Sequence, residues 1–358
     1  MNIKSLLVGS AIATMGVSAA QAADAIVIPE PEPMEYVRVC DVYGAGFFYI
    51  PGTETCLRVG GYVRHDIGIG FRGHQDVLDV DEFLDGDFDL NDTYYQRTRA
   101  QLNVDARSET EMGTLRAYMA MNFQATTSEF GVDVDGDDVI DGVGVGTVEQ
   151  MDLNHAYIEL GGLRVGYTDS WFSTFTGYAG PVIGDDFVGF GPYNTHMISY
   201  RFDGGNGFTA VVSLEDLGGL DSYLPHVVAG VGFTQGWGGV RVVGAYDSVF
   251  EEWAIKGRLD VAMTPDIGLF VMGGWSSDPN QYATWGGDWA VWGGGSLRLT
   301  ETLTFNAQLS YDDLETFAAV ANVAWQPVPG LTITPEIAYI DADGEDDWGG
   351  FLRFQRNF

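Results

Sequence analysis

"TYYQRTRAQLNVDAR" (residues 93–107) decides the fold. Tyr95, Arg97, Arg99, Gln101, Asn103, Asp105 and Arg107 fall on one side of an extended chain. Tyr94, Thr98, Ala100, Leu102, Val104 and Ala106 fall on the other, with Gln96 the exception. Successive side chains of a strand point to opposite faces, so an alternation this long is a strand with one wet and one apolar surface. The pattern recurs. "GTLRAYMAMNFQ" (113–124) sets Leu115, Ala117, Met119, Met121 and Phe123 against Thr114, Arg116, Tyr118, Asn122 and Gln124. "LRVGGYVRHDIGIGF" (57–71) sets Val59, Val63, Ile67 and Ile69 against Arg58, Tyr62, Arg64 and Asp66. "LTFNAQLSY" (303–311) does the same near the other end. Periodicity alone fits a soluble sandwich, with apolar faces inside, as well as a membrane barrel, with apolar faces outside. The connections separate the two.

Sixteen such strands are predicted, over 57–71, 93–107, 113–125, 147–160, 162–169, 195–204, 206–215, 225–235, 237–248, 250–263, 266–277, 286–300, 302–312, 315–326, 330–341 and 348–358. Their links alternate. One set is short, such as "GG" (161–162) and "GW" (236–237). The other is mostly longer, acidic or irregular, at 72–92, 126–146, 170–194, 216–224, 278–285 and 342–347. Tight turns at one end and long loops at the other is the construction of an outer-membrane barrel, and closure removes the edges that lipid cannot hydrate. The fold expected is therefore all-β: a sixteen-stranded antiparallel transmembrane β-barrel. The last strand, "GGFLRFQRNF", puts Leu352, Phe354 and Phe358 on one face, and the terminal Phe358 reads as the insertion signal of such barrels. Trp171, Trp253, Trp285 and Trp348 near strand ends suit interfacial belts.

The start of the chain reads as an export signal at 1–22: Lys4, the apolar "LLVGSAIATMGVSAA" and the small-x-small "AQA". A periplasmic segment, 23–55, precedes the barrel at 56–358. Cys40 and Cys56 are expected to pair in an oxidising compartment; two buried free thiols are the alternative. A formal charge of −34 argues against nucleic acid as a partner, because phosphate recognition needs basic patches. "GIGFRG" (68–73) satisfies a dinucleotide fingerprint but lacks the helix such a site requires, and the five histidines show no metal-ligand spacing. No catalytic pattern is present, and no enzyme activity is expected.

"YVRVCDVYGAGFFYIPGTETCLRVGGYVR" (36–64), "ELGGLRVG" (159–166), "FTGYAG" (175–180), "AYDSVFEEWA" (245–254), "WGGDWAVWGG" (285–294) and "RFQRNF" (353–358) together resemble the general porins of alphaproteobacteria of the Brucella and Rhizobium type. The resemblance runs from end to end and implies a homotrimer in the Gram-negative outer membrane, in contact with lipid and lipopolysaccharide. It implies passive diffusion of small hydrophilic solutes and ions through a water-filled channel. A substrate-selective channel, with a saturable sugar or amino acid site in the lumen, is the second reading. In such porins the loop after strand five folds inward; here that loop is 170–194. Its Asp185 and Asp186, with Asp169 at its start, would face Arg58, Arg64, Arg97, Arg99 and Arg116 on the polar faces of the early strands. Acids on a loop and arginines on the wall would set a transverse field across the constriction. The alternative is that these arginines pair with Asp66, Asp105 and Glu159. Arg258 and Arg298 are further lumen candidates. A modest cation preference is expected from the net charge.

"GVDVDGDDVIDG" (131–142) resembles a calcium loop without matching one: counted from Asp133, position 6 is Asp138 and position 12 is Gly144, where an EF-hand needs glycine and glutamate. No cofactor is required. Asp133, Asp135, Asp137 and Asp138 are at most loose sites for surface Ca2+ or Mg2+, in one of three acidic segments at the outer mouth. In porins the second loop also reaches the neighbouring subunit, which makes this stretch a candidate trimer latch.

Overall fold

The computed structural model describes residues 38–79, 89–133, 139–140 and 142–358. The signal expected at 1–22 lies outside them, as do 23–37, most of the acidic core of the first long loop, and Asp135, Asp137 and Asp138. Sixteen long antiparallel strands make one closed sheet. They are β1 (Cys56–Gly70), β2 (Tyr95–Thr110), β3 (Gly113–Val132), β4 (Gly142–Leu160), β5 (Leu163–Asp169), β6 (Asn194–Gly205), β7 (Phe208–Asp216) and β8 (His226–Gln235). Then follow β9 (Gly238–Asp247), β10 (Glu252–Thr264), β11 (Ile267–Ser276), β12 (Trp289–Thr300), β13 (Leu303–Asp312), β14 (Phe317–Val328), β15 (Leu331–Ala342) and β16 (Glu345–Asn357). Each pairs with its neighbour in the chain. β16 returns to β1, in register from Gly349↔Gly70 to Asn357↔Tyr62, and Phe358 exchanges two backbone hydrogen bonds with Gly61. The sheet is thereby left without a free edge, as hydrocarbon demands.

The faces sort as the alternation predicts. Val59, Val63, Ile158, Val231, Val271 and Leu309 look outward and stay about half exposed in the isolated subunit. Asp66, Asp105, Asn122, Asn306, Gln308 and Glu336 look inward and are buried. The apolar core of this protein therefore lies within the lumen, between the inner wall and a loop. Trp253 and Trp348 do stand outward, at 57% and 58% exposure, as a belt requires. Trp171 and Trp285 do not: both are buried in that inner core.

Two connections are shorter than the sequence suggested. β3 and β4 run on to Val132 and from Gly142, paired to their ends, so much of 126–146 is an extended hairpin. The final link is a two-residue turn: Ala342 pairs with Glu345, and Asp343 and Gly344 carry φ of 55° and 78°. This is the Asp-Gly turn that suits the twist of a hairpin, and it places Asp341 directly opposite Asp346. The first long loop carries two short strands, His74–Leu78 and Leu90–Thr93. It leans on the β3–β4 hairpin through Val77↔Val143 and through His74, which meets Glu129 at 2.9 Å and Thr127 at 2.8 Å.

Candidate functional site: the loop across the lumen

Ser170, the residue after β5, caps a four-residue helix, Trp171–Thr174, by accepting the Phe172 N–H. From there the chain crosses the lumen to Tyr193. Apolar side chains hold it to the far wall: Phe172, Phe175, Val188 and Phe190 pack with Val228, Val243, Met272 and Trp292. The wall makes room for them. A Cβ at Gly230 would lie 2.7 Å from the Phe175 ring, so glycine there is what admits the ring.

Polar groups pin the loop at intervals. Glu215 of β7 accepts from Ser170 Oγ at 2.6 Å and from the Trp171 N–H at 3.1 Å. Lys256 of β10, the one lysine beyond the expected signal, is wholly buried; it donates to the Phe190 carbonyl and lies 4.7 Å from the Phe172 ring centroid. Trp292 Nε1 donates to the Val188 carbonyl at 3.0 Å, and Gln308 Nε2 to the Asp185 carbonyl at 2.9 Å. Glu336 of β15 accepts the N–H groups of Ile183 and Gly184 and the Asn322 side chain. Arg72, just beyond β1, completes this corner: it is 3.5 Å from Glu336 and stacks on Phe187 and Phe351 at 4.9 and 4.4 Å. Arg258 donates to the Tyr178 carbonyl and to Asp260.

The three predicted acids meet different surroundings. Asp169 is buried and accepts the Tyr178 hydroxyl. Asp185 is half-buried; burial pushes its carboxyl up to about 7, and the adjacent Asp186 carboxylate adds to the rise. Asp186 is exposed and accepts from Tyr193 at 3.4 Å. Burial and the same carboxylates push the Tyr193 hydroxyl upward.

The opposite wall, β1 to β5 with β16, carries the arginines. Asp66 receives Arg97 and Arg353, each at 2.7 Å. Asp105 receives Arg107 at 2.7 Å, Arg116 at 3.0 Å and Arg58 at 3.7 Å. Glu159 receives Arg116 and Arg164, both at 2.8 Å. Arg64 and Arg99 differ. They are directly opposite each other across β1 and β2, and each gives its Nε to an amide instead: Arg64 to Gln355 at 2.8 Å and Arg99 to Gln124 at 2.7 Å. Eight guanidiniums thus meet three carboxylates, an excess of five positive charges on this patch. Pairing is realised for Arg58, Arg97 and Arg116, and Arg64 and Arg99 keep an uncompensated charge. Arg298 sits apart at the short-turn end, 3.9 Å from Asp266.

Sequence reasoning missed Arg72, Arg353, Lys256, Gln308 and Glu336. The signal for Lys256 was available, since a lone lysine on a lumen face in so acidic a chain has no surface reason to be there. Among the described residues no group of His, Cys, Asp or Glu is arranged to hold a metal ion.

Comparison with known proteins agrees with this architecture. The model of the family described as "Porin subfamily" matches residues 24–354. The porin Omp2a of Brucella melitensis is 49% identical, and the porin Omp2b of Brucella neotomae 48%, each aligned over the whole of both chains. Among solved structures, the outer membrane channel DcaP of Acinetobacter baumannii superposes with a TM-score of 0.62 at 16% identity, over 87% of this chain and 99% of its own. A mutant of the Rh. blastica porin gives 0.56 at 14%, over 84% and 100%. These two share the fold.

Proposed function

This chain belongs to the Porin subfamily, and on that premise we propose how its lumen performs the diffusion of small hydrophilic solutes that an outer-membrane porin allows. The observation that carries the proposal is the loop 170–193, pinned to the wall from β7 to β15 and facing the arginine patch of β1 to β5 and β16. A bare sixteen-stranded pore is wide, so the inserted loop sets the size limit. Asp185, Asp186 and Asp169 form the acidic side of the constriction. Arg58, Arg64, Arg97, Arg99 and Arg116 form the basic side, with Arg64 and Arg99 contributing most because amides leave their charge intact. A solute crossing between the two sides turns its dipole along the field, and an apolar solute, unable to replace the water it displaces, is held back. The net charge of the chain enriches cations at the mouth and gives a modest cation preference. Liposome swelling with sugars of increasing mass tests the reading: rates should fall smoothly with mass to a cutoff. Proteoliposomes that shrink and stay shrunken with the smallest sugar would overturn it.

The same reading includes a trimer. None of the nine tryptophans lies on the outer face of β1 to β7. That face instead presents Gln96 and a hydrogen-bonded pair, His65 and Thr98, at 2.9 Å. Polar groups of this kind are expensive against lipid tails and inexpensive against another protein surface. Covering them with two further copies of the chain is the arrangement we propose. Asp133, at the far end of β3, would lie at the outer rim, where divalent cations shared with anionic lipopolysaccharide would relieve repulsion.

A further inference from the structure

The segment before the barrel turns back into its mouth. Cys40 and Cys56 form a disulfide, with Cα atoms 5.9 Å apart. Phe48 and Tyr49 pair with Leu57 and Cys56 at the start of β1, and Val39 bridges Phe48, so residues 38–57 make a small hairpin growing out of the first barrel strand. Cys56 shares the lumen face of β1 with Arg58. The hairpin therefore stands over the inner surface of the wall rather than outside it. Its own core is Cys40, Phe47 and Cys56, each no more than 2% exposed, flanked by Tyr43 and Tyr49.

Phe47 has two guanidiniums on its ring: Arg58 at 4.9 Å and Arg107 at 5.2 Å. Arg107 also lies 5.6 Å from the Tyr43 ring. The Tyr43 hydroxyl donates to Glu109 of β2 at 2.8 Å, and Thr114 of β3 donates to the same carboxylate oxygen at 2.9 Å. The hairpin is thus fastened on both sides, covalently to β1 and by a charge-assisted hydrogen bond to β2. Arg58 and Arg107 are the lower members of the arginine patch, sharing Asp105 with Arg116. A ring face attracts a cation through its quadrupole and at the same time excludes water and counter-ions from that side.

We propose that this disulfide-closed hairpin is a second, fixed narrowing at the short-turn mouth of the pore, with Phe47 the specificity-determining residue that screens Arg58 and Arg107 from passing anions. It rests on the channel reading above, and it adds a filter in series with the loop. Removing the ring empties the hairpin's core, loosens its seat on the wall and lets water reach the covered side of both guanidiniums. The seat of the loop on the far wall, which none of these residues touches, is unchanged.

The test is planar-bilayer recording of the full-length protein, wild type against Phe47→Ala, with the double variant Cys40→Ser/Cys56→Ser and the reduced wild type as independent ways of freeing the hairpin. Phe47→Ala should raise single-channel conductance by roughly 1.3-fold and move the reversal potential in a salt gradient toward the anion. The reduced protein should do the same. Conductance and reversal potential equal to wild type, in a protein whose heat-modifiable gel mobility shows an intact barrel, would overturn the proposal. Should Phe47→Ala fail to insert, the reduced wild type decides by the same two readings. Either result leaves wild-type diffusion as it is, so it does not bear on the channel reading itself.

Discussion

Glu336 on β15 accepts the Gly184 N–H at 2.9 Å, across 152 residues of chain. Its side chain is fully buried, and its second oxygen takes the Ile183 N–H and the Asn322 amide. This one carboxylate holds the tip of the constriction loop, and Arg72 balances its charge from the other side of the seam. Glu336→Ala strands two backbone donors in the interior, at a cost of about 1–3 kcal/mol each. We expect noisy single-channel currents and a lower unfolding temperature in detergent. Quiet wild-type-like traces would show that the apolar seat of the loop suffices. Glu336→Gln keeps one acceptor and should fall between.

Asp185 carries the pH dependence. Its carboxyl is raised to about 7, first by burial and then by Asp186, so the folded site holds its proton more tightly than the unfolded chain does. Below the ordinary carboxylate range both states are protonated and the seat is at its strongest. That stabilisation is lost as pH rises toward 7. Acidifying from pH 8 to pH 5 therefore removes one negative charge from the loop and tightens its docking. Cation preference should decline over this range, and Asp185→Asn should abolish the change. Reversal potentials at a series of pH values decide the matter; a variant that titrates like wild type would assign the effect elsewhere.

Arg99→Ala and Arg97→Ala should differ. Arg99 is compensated only by an amide, whereas Arg97 shares Asp66 with Arg353. Removing Arg99 takes away an effective unit charge and should shift selectivity clearly toward cations. Removing Arg97 leaves Asp66 paired and should shift it less. The double variant should also conduct more. Equal shifts from both single variants would indicate that local pairing does not govern the field.

The proposed trimer face can be tested by contrast. Thr98→Lys places a charge beside His65 on the tryptophan-free outer face, and Val271→Lys places one on β11. A lysine facing lipid at the midplane destabilises a barrel by about 2–4 kcal/mol, less toward the interfaces. Both variants should lose thermal stability, yet only Thr98→Lys should shift the assembly to monomers in light scattering. Retention of trimers by Thr98→Lys would move the interface elsewhere.

The barrel was legible because lumen and lipid write opposite residue types at period two, and sixteen repetitions of that signal leave little room for another fold. Boundaries were less so. The Asp343–Gly344 turn was obscured by the acids around it, which read as a loop although they continue two paired strands. The inward loop and its acids came from resemblance, and the wall arginines from alternation. What held the loop was hidden. Glu336, Lys256 and Gln308 each meet it from a strand 66 to 153 residues away, and a single sequence records no such meeting. The split between carboxylate-paired and amide-held arginines was hidden for the same reason, since it depends on cross-strand register.

The seam between β16 and β1 also has a temporal meaning. The hydrogen bond from Arg64 to Gln355 joins groups 291 positions apart, near the largest separation the chain permits. Contacts between such distant parts form late and slowly, because the intervening chain must be organised first. Until the thirteen residues of the last strand arrive, the sheet has two raw margins able to pair with any neighbour. A polypeptide cut short before Glu345 would therefore be an aggregation-prone ribbon rather than a smaller pore. Closure of the sheet therefore depends on the strand that stands last in the chain.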